Sequence, residues 1–257
     1  MKRSAAFLKI ILPPLLAFAI AAAHAHGAAA KGGKGVRFTY FGHACFLIES
    51  LSSGATIFID PFSGLDYPPP KAEPDVLLIT HEHFDHNNAA AAKGDPVVLR
   101  GLTEDGGDWN DVSRKIRGVK IISVPTYHDE EQGKKRGKNT VFRIEMDGVV
   151  IVHAGDVGHV LSEKQAQRLK PVDVLLAPVG GYYTVEPAGA HEIAARLGPK
   201  IVIPMHYQTK YTRDLPIKPL KNFIAGRKNV EEIAGSVFTV TASGLPEEMK
   251  IVTLEPR

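Results

Sequence analysis

The densest chemistry in the chain lies at Thr80-His81-Glu82-His83-Phe84-Asp85-His86, where three imidazoles and an aspartate fall within six residues. Neutral imidazole and carboxylate are the donors that zinc and similar divalent ions take. Histidines crowded together on an exposed loop would gain little from one another and would repel once protonated. The spacing therefore favours metal ligation over a chance His-rich loop. Alternate side chains of an extended segment point the same way, so His81 and His83 can hold one ion together. Asp85 and His86 come where the chain turns, and can face a second ion. Two later segments repeat the pattern of an apolar run followed by a donor: 149–152 leads to Asp156, and 201–203 leads to His206.

The elements that must position these residues can be read from residue type and punctuation. Strands are expected at 36–40, 44–49, 55–59, 76–79, 97–100, 120–124, 141–146, 149–153, 172–177, 200–203, 237–241 and 250–254. Most of these runs are short, β-branched and bounded by Gly, Pro or Asp. Asp147-Gly148 between two of them is a hairpin turn. Helices are expected at 87–93, which is alanine-rich and stops at Gly94, and at 162–169, with Ser162 as N-cap and Gln165 three residues on. Another spans 188–197 and ends at Gly198-Pro199, and a weaker one lies within 220–225. This mixture implies sheet layers covered by helices, an α/β architecture. In such sheets ligand sites form at the carboxyl ends of strands, which is where His81, Asp156 and His206 stand.

His81-x-His83-x-Asp85-His86 resembles the signature motif of the metallo-β-lactamase fold superfamily. The other positions that the family expects are present in order: His128 after 120–125, Asp156 in a Gly-Asp pair, and His206 in the C-terminal third. The resemblance spans 36–257 and implies a four-layer αββα sandwich. It implies one metal site of His81, His83 and His128, a second of Asp85, His86 and His206, and Asp156 bridging the two ions. Tyr40-Phe41-Gly42-His43-Ala44, Ile59-Asp60-Pro61 and Pro178-Val179-Gly180-Gly181-Tyr182-Tyr183-Thr184 are similar to the branch that contains L-ascorbate-6-phosphate lactonase. True β-lactamases of this fold commonly carry arginine where His86 stands, and many carry cysteine where Asp156 stands; those departures argue against antibiotic hydrolysis.

By the same resemblance, Asp60 orients a histidine from behind the ligands; otherwise it merely ends a strand before Pro61. His43 either approaches the site or satisfies a local backbone bond. His153 is expected to be packed or to support a ligand, and His159 and His191 to lie at the surface or make local hydrogen bonds. Cys45, the single cysteine, sits in an apolar run and is expected to be a buried, inert thiol. The polar stretch 129–140 reads as a solvated hairpin loop, or as a rim loop whose Lys or Arg meets an anionic substrate.

The 257 residues, 44% hydrophobic and 23% charged, suit one sizeable domain. Residues 1–25 have the layout of a secretory signal peptide: basic Met1-Lys2-Arg3, an apolar run broken by Pro13-Pro14, and Ala23-His24-Ala25. That run is short for a membrane span. Residues 26–35 read as a flexible leader. Setting aside Lys2, Arg3 and Lys9 leaves the 31 basic residues reduced to the number of the 28 acidic ones, so no basic nucleic-acid surface is indicated. The expectation is an exported, periplasmic or secreted hydrolase acting on a small molecule, a lactone or phosphate ester. Its cofactor is two divalent ions, zinc first and Mn or Fe otherwise, sharing a water whose pKa falls from about 15.7 towards about 7. Asp85 and Asp156 are the expected catalytic carboxylates. The alternatives are a phosphodiesterase or nuclease on the same site, and a non-catalytic periplasmic metal-binding protein.

Overall fold

The computed structural model describes residues 33–257, so the expected signal segment and most of the leader lie outside the described residues. Fourteen strands appear in chain order: β1 (Val36–Gly42), β2 (Cys45–Ser50), β3 (Thr56–Ile59), β4 (Val76–Ile79), β5 (Val97–Arg100), β6 (Ser113–Ile116), β7 (Val119–Tyr127), β8 (Lys138–Met146), β9 (Val149–His153), β10 (Val174–Pro178), β11 (Ile201–Met205), β12 (Val230–Glu232), β13 (Val237–Val240) and β14 (Lys250–Thr253). Three helices accompany them: α1 (Glu163–Leu169), α2 (Pro187–Leu197) and α3 (Lys221–Ile224).

The strands form two sheets, of order β13-β1-β2-β3-β4-β5 and β12-β14-β11-β10-β9-β8-β7-β6. Period-two alternation divides each strand between two environments. Val76 and Leu78 of β4 face the space between the sheets, where Val174 and Leu176 of β10 meet them. Leu77 and Ile79 face outward on the first sheet, and Leu175 and Ala177 outward on the second, under the helices. Strands buried on both faces need continuous apolar runs, which is what β4, β10 and β11 are.

The layered α/β fold matches the expectation from sequence, and α1 and α2 arise as their termini indicate. Ser162 and Gln165 form a reciprocal capping box at the start of α1. Gly198 closes α2 in the left-handed conformation. The hairpin between β8 and β9 has positive φ at both Asp147 and Gly148, as a tight primed turn requires.

The helix expected at 87–93 is not there; the segment holds one 3-10 turn, Ala89–Ala91. Its backbone groups are taken by the preceding loop: Ala72 donates to the Ala91 carbonyl, and Lys93 donates to that of Ala72. Asn87 and Asn88 reach back to the carbonyls of Glu82 and Phe62. Alanine propensity is weak beside such tertiary anchoring. With Phe62 and Tyr67, this loop and turn cover the outer face of the first sheet. No helix among the described residues is long and apolar enough to cross a membrane.

Candidate metal centre

The centre is built at one rim of the sandwich, where β4, β7, β9 and β11 end. The apolar strand β4 stops at Thr80 because the Asp60 carboxylate accepts both the Thr80 N–H (2.8 Å) and its hydroxyl (2.7 Å). Thr80 has one hydroxyl proton and gives it to Asp60. Its oxygen therefore accepts from His81 Nδ1 at 3.0 Å, leaving His81 Nε2 as a bare lone pair. Asp60 Oδ2 likewise accepts from His86 Nδ1 at 2.9 Å. The Tyr183 carbonyl accepts from His128 Nδ1 at 3.1 Å. Three histidines thus have their tautomers set from behind, each presenting Nε2 as a donor atom, an arrangement typical of metal-ligating imidazoles.

These atoms converge in two clusters. His81, His83 and His128 offer ring nitrogens that lie within 4.8 Å of one another, with His81 Nε2 and His83 Nδ1 3.1 Å apart. Asp85, His86 and His206, joined by His43, form the second, within the same span. Asp156 Oδ2 stands between them, 3.3 Å from His86 Nε2, 3.3 Å from His128 Nε2 and 3.1 Å from His206 Nε2. All seven residues expected from sequence are therefore brought together, in the expected grouping. His43 completes the set: its Nε2 lies 3.1 Å from Asp85 Oδ2.

The donor set fits divalent metal. His86 Nε2 and Asp156 Oδ1 are buried without a hydrogen-bond partner, and a polar atom left so costs about 1–3 kcal/mol unless something satisfies it. Nitrogen and carboxylate donors in this mixture suit zinc, manganese or iron. The electrostatics agree. Burial works against charge on Asp156, yet His206 and His86 beside it hold its carboxyl well below the usual range. Burial also opposes ionisation of Asp85, and the His43 hydrogen bond overcomes it, so its pKa too is lowered. Burial pushes His81 well below the ordinary imidazole value, with His86 adding to the effect, and lowers His83 as well. It drives His43 down to about 4, reinforced by His206. At His86 the balance reverses: burial opposes a charge, but Asp156 and Asp60 raise its pKa well above the ordinary value. The field there calls for positive charge, whether carried by a proton or a metal.

Backbone strain collects at the same rim. His43, Asp60 and His206 all have φ near the left-handed region, at 52°, 47° and 51°. Such conformations are sparsely populated by non-glycine residues and cluster at functional sites. Gly155 precedes Asp156 at φ 54°, and a Cβ there would run into the Asn139 side chain and Thr80.

One supporting residue escaped sequence reasoning, and another was left open between two roles. Asn139, fully buried, accepts from the Asp156 N–H at 2.9 Å and donates to Thr126 Oγ1 and the Ala154 carbonyl. Nothing local marks it. His43 carries a local signal, the Gly42-His43 turn between two strands, but its partner Asp85 is distant in sequence. Of the other described histidines, His153 is packed behind the centre as expected, whereas His159 and His191 each make a bond that is not local, to a residue 32 positions away. His153 bridges the Ala44 carbonyl and the Gly155 N–H, His159 accepts from the Tyr127 N–H, and His191 stacks on Phe223 and bonds its carbonyl. Cys45 is buried, and burial raises its thiol pKa.

A cavity of about 550 Å³ opens over both clusters, walled by Leu65, Phe84, Leu215, Lys135 and Arg136. The loop 129–140 thus supplies part of the rim.

A model of the β-lactamase superfamily domain matches residues 37–206, a stretch that holds every residue of the centre. A Methanoculleus marisnigri protein named UPF0173 metal-dependent hydrolase is 32% identical over 222 residues, covering 80% of this chain and 91% of its own. One of the same name from Thermococcus onnurineus is 34% identical over 196 residues, covering 68% and 85%. A Thermotoga maritima crystal structure, described as a candidate Zn-dependent hydrolase of the metallo-β-lactamase superfamily, superposes with a TM-score of 0.70 at 35% identity, covering 86% of this chain and 98% of that one.

Proposed function

We propose, from the premise that this chain belongs to the β-lactamase superfamily and is a metal-dependent hydrolase, that it cleaves a small ester, a lactone or phosphate ester, with two divalent ions in the His/Asp centre. The observation that carries this reading is Asp156 Oδ2, within 3.1–3.3 Å of one imidazole of the first cluster and two of the second.

Ions bound there would act as Lewis acids and lower the pKa of a coordinated water towards about 7. The protein's own work is placement. Asp156 ties the two clusters together, and Asn139 fixes the Asp156 backbone. Asp60 and Thr80 hold His81 and His86 in the required tautomers. His43 occupies one oxygen of Asp85 and steadies that carboxylate. Preorganised donors of this kind stabilise developing charge without reorganising during the reaction. The residues assigned to metal are His81, His83, Asp85, His86, His128, Asp156 and His206, with Asp85 and Asp156 also shaping the reacting centre.

Zinc suits a site of five imidazoles and two carboxylates, and manganese or iron remain chemically compatible. The equal numbers of acidic and basic residues beyond the signal segment support a small molecule over nucleic acid. The basic, then apolar, segment 1–25 supports export.

Elemental mass spectrometry of the purified protein tests the metal reading, with about two ions per chain expected. Loading below one ion after metal is supplied would overturn the dinuclear reading. A parallel screen of lactones, phosphomonoesters and phosphodiesters tests the substrate reading. Turnover of phosphodiesters alone would replace it with a phosphodiesterase, and metal without turnover of any of them would favour a binding role.

A further inference from the structure

We propose that Arg136 reads an oxyanion on the substrate, a phosphate or a carboxylate, while an apolar part of the same molecule lies against Phe84. The proposal rests on the hydrolase reading and narrows its substrate class to small amphiphilic anions.

The loop that carries Arg136 is polar in sequence yet rigidly built. The Asp129 carboxylate accepts four backbone N–H groups, from Glu131 (2.8 Å), Gly133 (2.9 Å), Lys135 (2.9 Å) and Arg136 (2.7 Å). Asp129 adjoins His128, so the loop is registered directly to the centre. The Arg136 guanidinium lies 5.7 Å and 5.6 Å from the ring centroids of Tyr182 and Tyr183, within cation–π range. Tyr183 is the residue whose carbonyl sets His128. Arg136 therefore shares its platform with a candidate ligand, and it lines the cavity.

Lys135 and Lys138, on either side of it, are already paired. Lys135 meets Glu131 at 2.5 Å and Lys138 meets Asp108 at 3.0 Å. Arg136 is half-buried and, among the described residues, has no carboxylate within ion-pair distance. The acidic groups of the cavity are committed elsewhere: Glu82 to Arg100 at 2.6 Å, Asp85 to His43, and Asp156 to three histidines. A partly desolvated guanidinium without a counter-ion is a vacancy for an anion, and its planar fork matches phosphate and carboxylate oxygens bidentately. On the same cavity wall, Phe84 is 60% exposed although it sits between the donors His83 and Asp85. With Leu65 and Leu215 it offers an apolar surface for the rest of the molecule.

Calorimetric titration of the metal-loaded full chain with phenylphosphonate, inorganic phosphate and benzoate tests this. Arg136→Gln should weaken phenylphosphonate at least about 10-fold, the scale of a lost charge-assisted hydrogen bond, and Arg136→Lys should fall between. Lys135→Gln should change it by less than about 3-fold, as befits an exposed, paired lysine. Phe84→Ala should weaken phenylphosphonate while leaving inorganic phosphate unchanged. Equal affinity of phenylphosphonate for the wild-type and Arg136→Gln proteins overturns the assignment, as does an effect of Lys135→Gln as large as that of Arg136→Gln. The relative affinities of phenylphosphonate and benzoate identify which oxyanion is preferred. Metal counted on the same samples separates the two readings: a metal-poor wild-type protein overturns the hydrolase mechanism, whereas full metal with an unchanged Arg136→Gln affinity overturns only the role of Arg136.

Discussion

The two halves of the centre are built differently. The first, His81, His83 and His128, is all imidazole, and His83 stands exposed at the cavity mouth. The second, His43, Asp85, His86 and His206, includes a carboxylate, and its histidines are buried; Asp60 stands behind His86. One half is neutral and reaches solvent through His83; the other carries a carboxylate and is the more enclosed, with Asp85 alone partly exposed. Carboxylate donors and burial strengthen the hold on a divalent cation, because the field is less screened and the negative charge is fixed. On the two-ion reading proposed above, the ions need not be held equally: the enclosed half should retain metal when the open half loses it.

The largest effect is expected on removing the residue common to both halves. Asp156→Ala should abolish hydrolysis, by more than roughly 100-fold, the upper end of what supporting residues alone produce. It should also empty both halves as read by elemental analysis. Retention of two ions would show that the halves are independent. Next in size is Asp60→Asn, which removes the carboxylate behind His86. Metal affinity of the enclosed half should fall about 10–100-fold, with the open half changed less, as measured by competition with a chromogenic chelator. His83→Ala should do the converse, leaving about one ion per chain. Because His83 is exposed, the melting temperature of the chelated variant, in which no ion contributes, should move little from that of the chelated wild type, as for most exposed substitutions.

The smallest effect concerns pH. His43, His81, His83 and His153 all have folded-state pKa values lowered from the ordinary imidazole value. The unfolded chain therefore binds more protons than the folded one below about 6.5. Their contribution to stability is full above that pH and is lost as it falls, down to about 4 for His43. His86, with a raised pKa, contributes in the opposite sense: its share is full below about 6.5 and is lost as pH rises through its folded-state value. Chelated protein should melt several degrees lower at pH 5 than at pH 7, by differential scanning calorimetry. A rise on acidification would mean that His86 outweighs the histidines whose values are lowered.

The centre was legible where donors follow one another along the chain. His81 to His86 is a local pattern, and Asp156 and His206 each close an apolar strand. Asn139 and the engagement of His43 with Asp85 were not legible, because each depends on a contact between residues 17 and 42 positions apart. Strands buried on both faces announced themselves through unbroken apolar runs. β6 and β12 did not: Ser113–Ile116 and Val230–Glu232 are polar edge segments whose pairing is set by a neighbour. The missing helix at 87–93 shows the same limit from the other side, since anchoring to Ala72 and Phe62 outcompeted local propensity.

The Asp147-Gly148 turn lies at the end of the sandwich away from the centre, and its carboxylate reaches across to the first sheet. It accepts from Gly35 N–H at 3.2 Å, Ser50 Oγ at 2.9 Å and Ser52 N–H at 3.0 Å. The sheets are thus bound along one edge like the leaves of a book. The seven donors are shared between the two leaves, His81 to His86 on one and His128, Asp156 and His206 on the other. Metal bound there would be the clasp of the fore-edge, joining donors of both leaves at the substrate side, with the apolar core filling the space between clasp and spine.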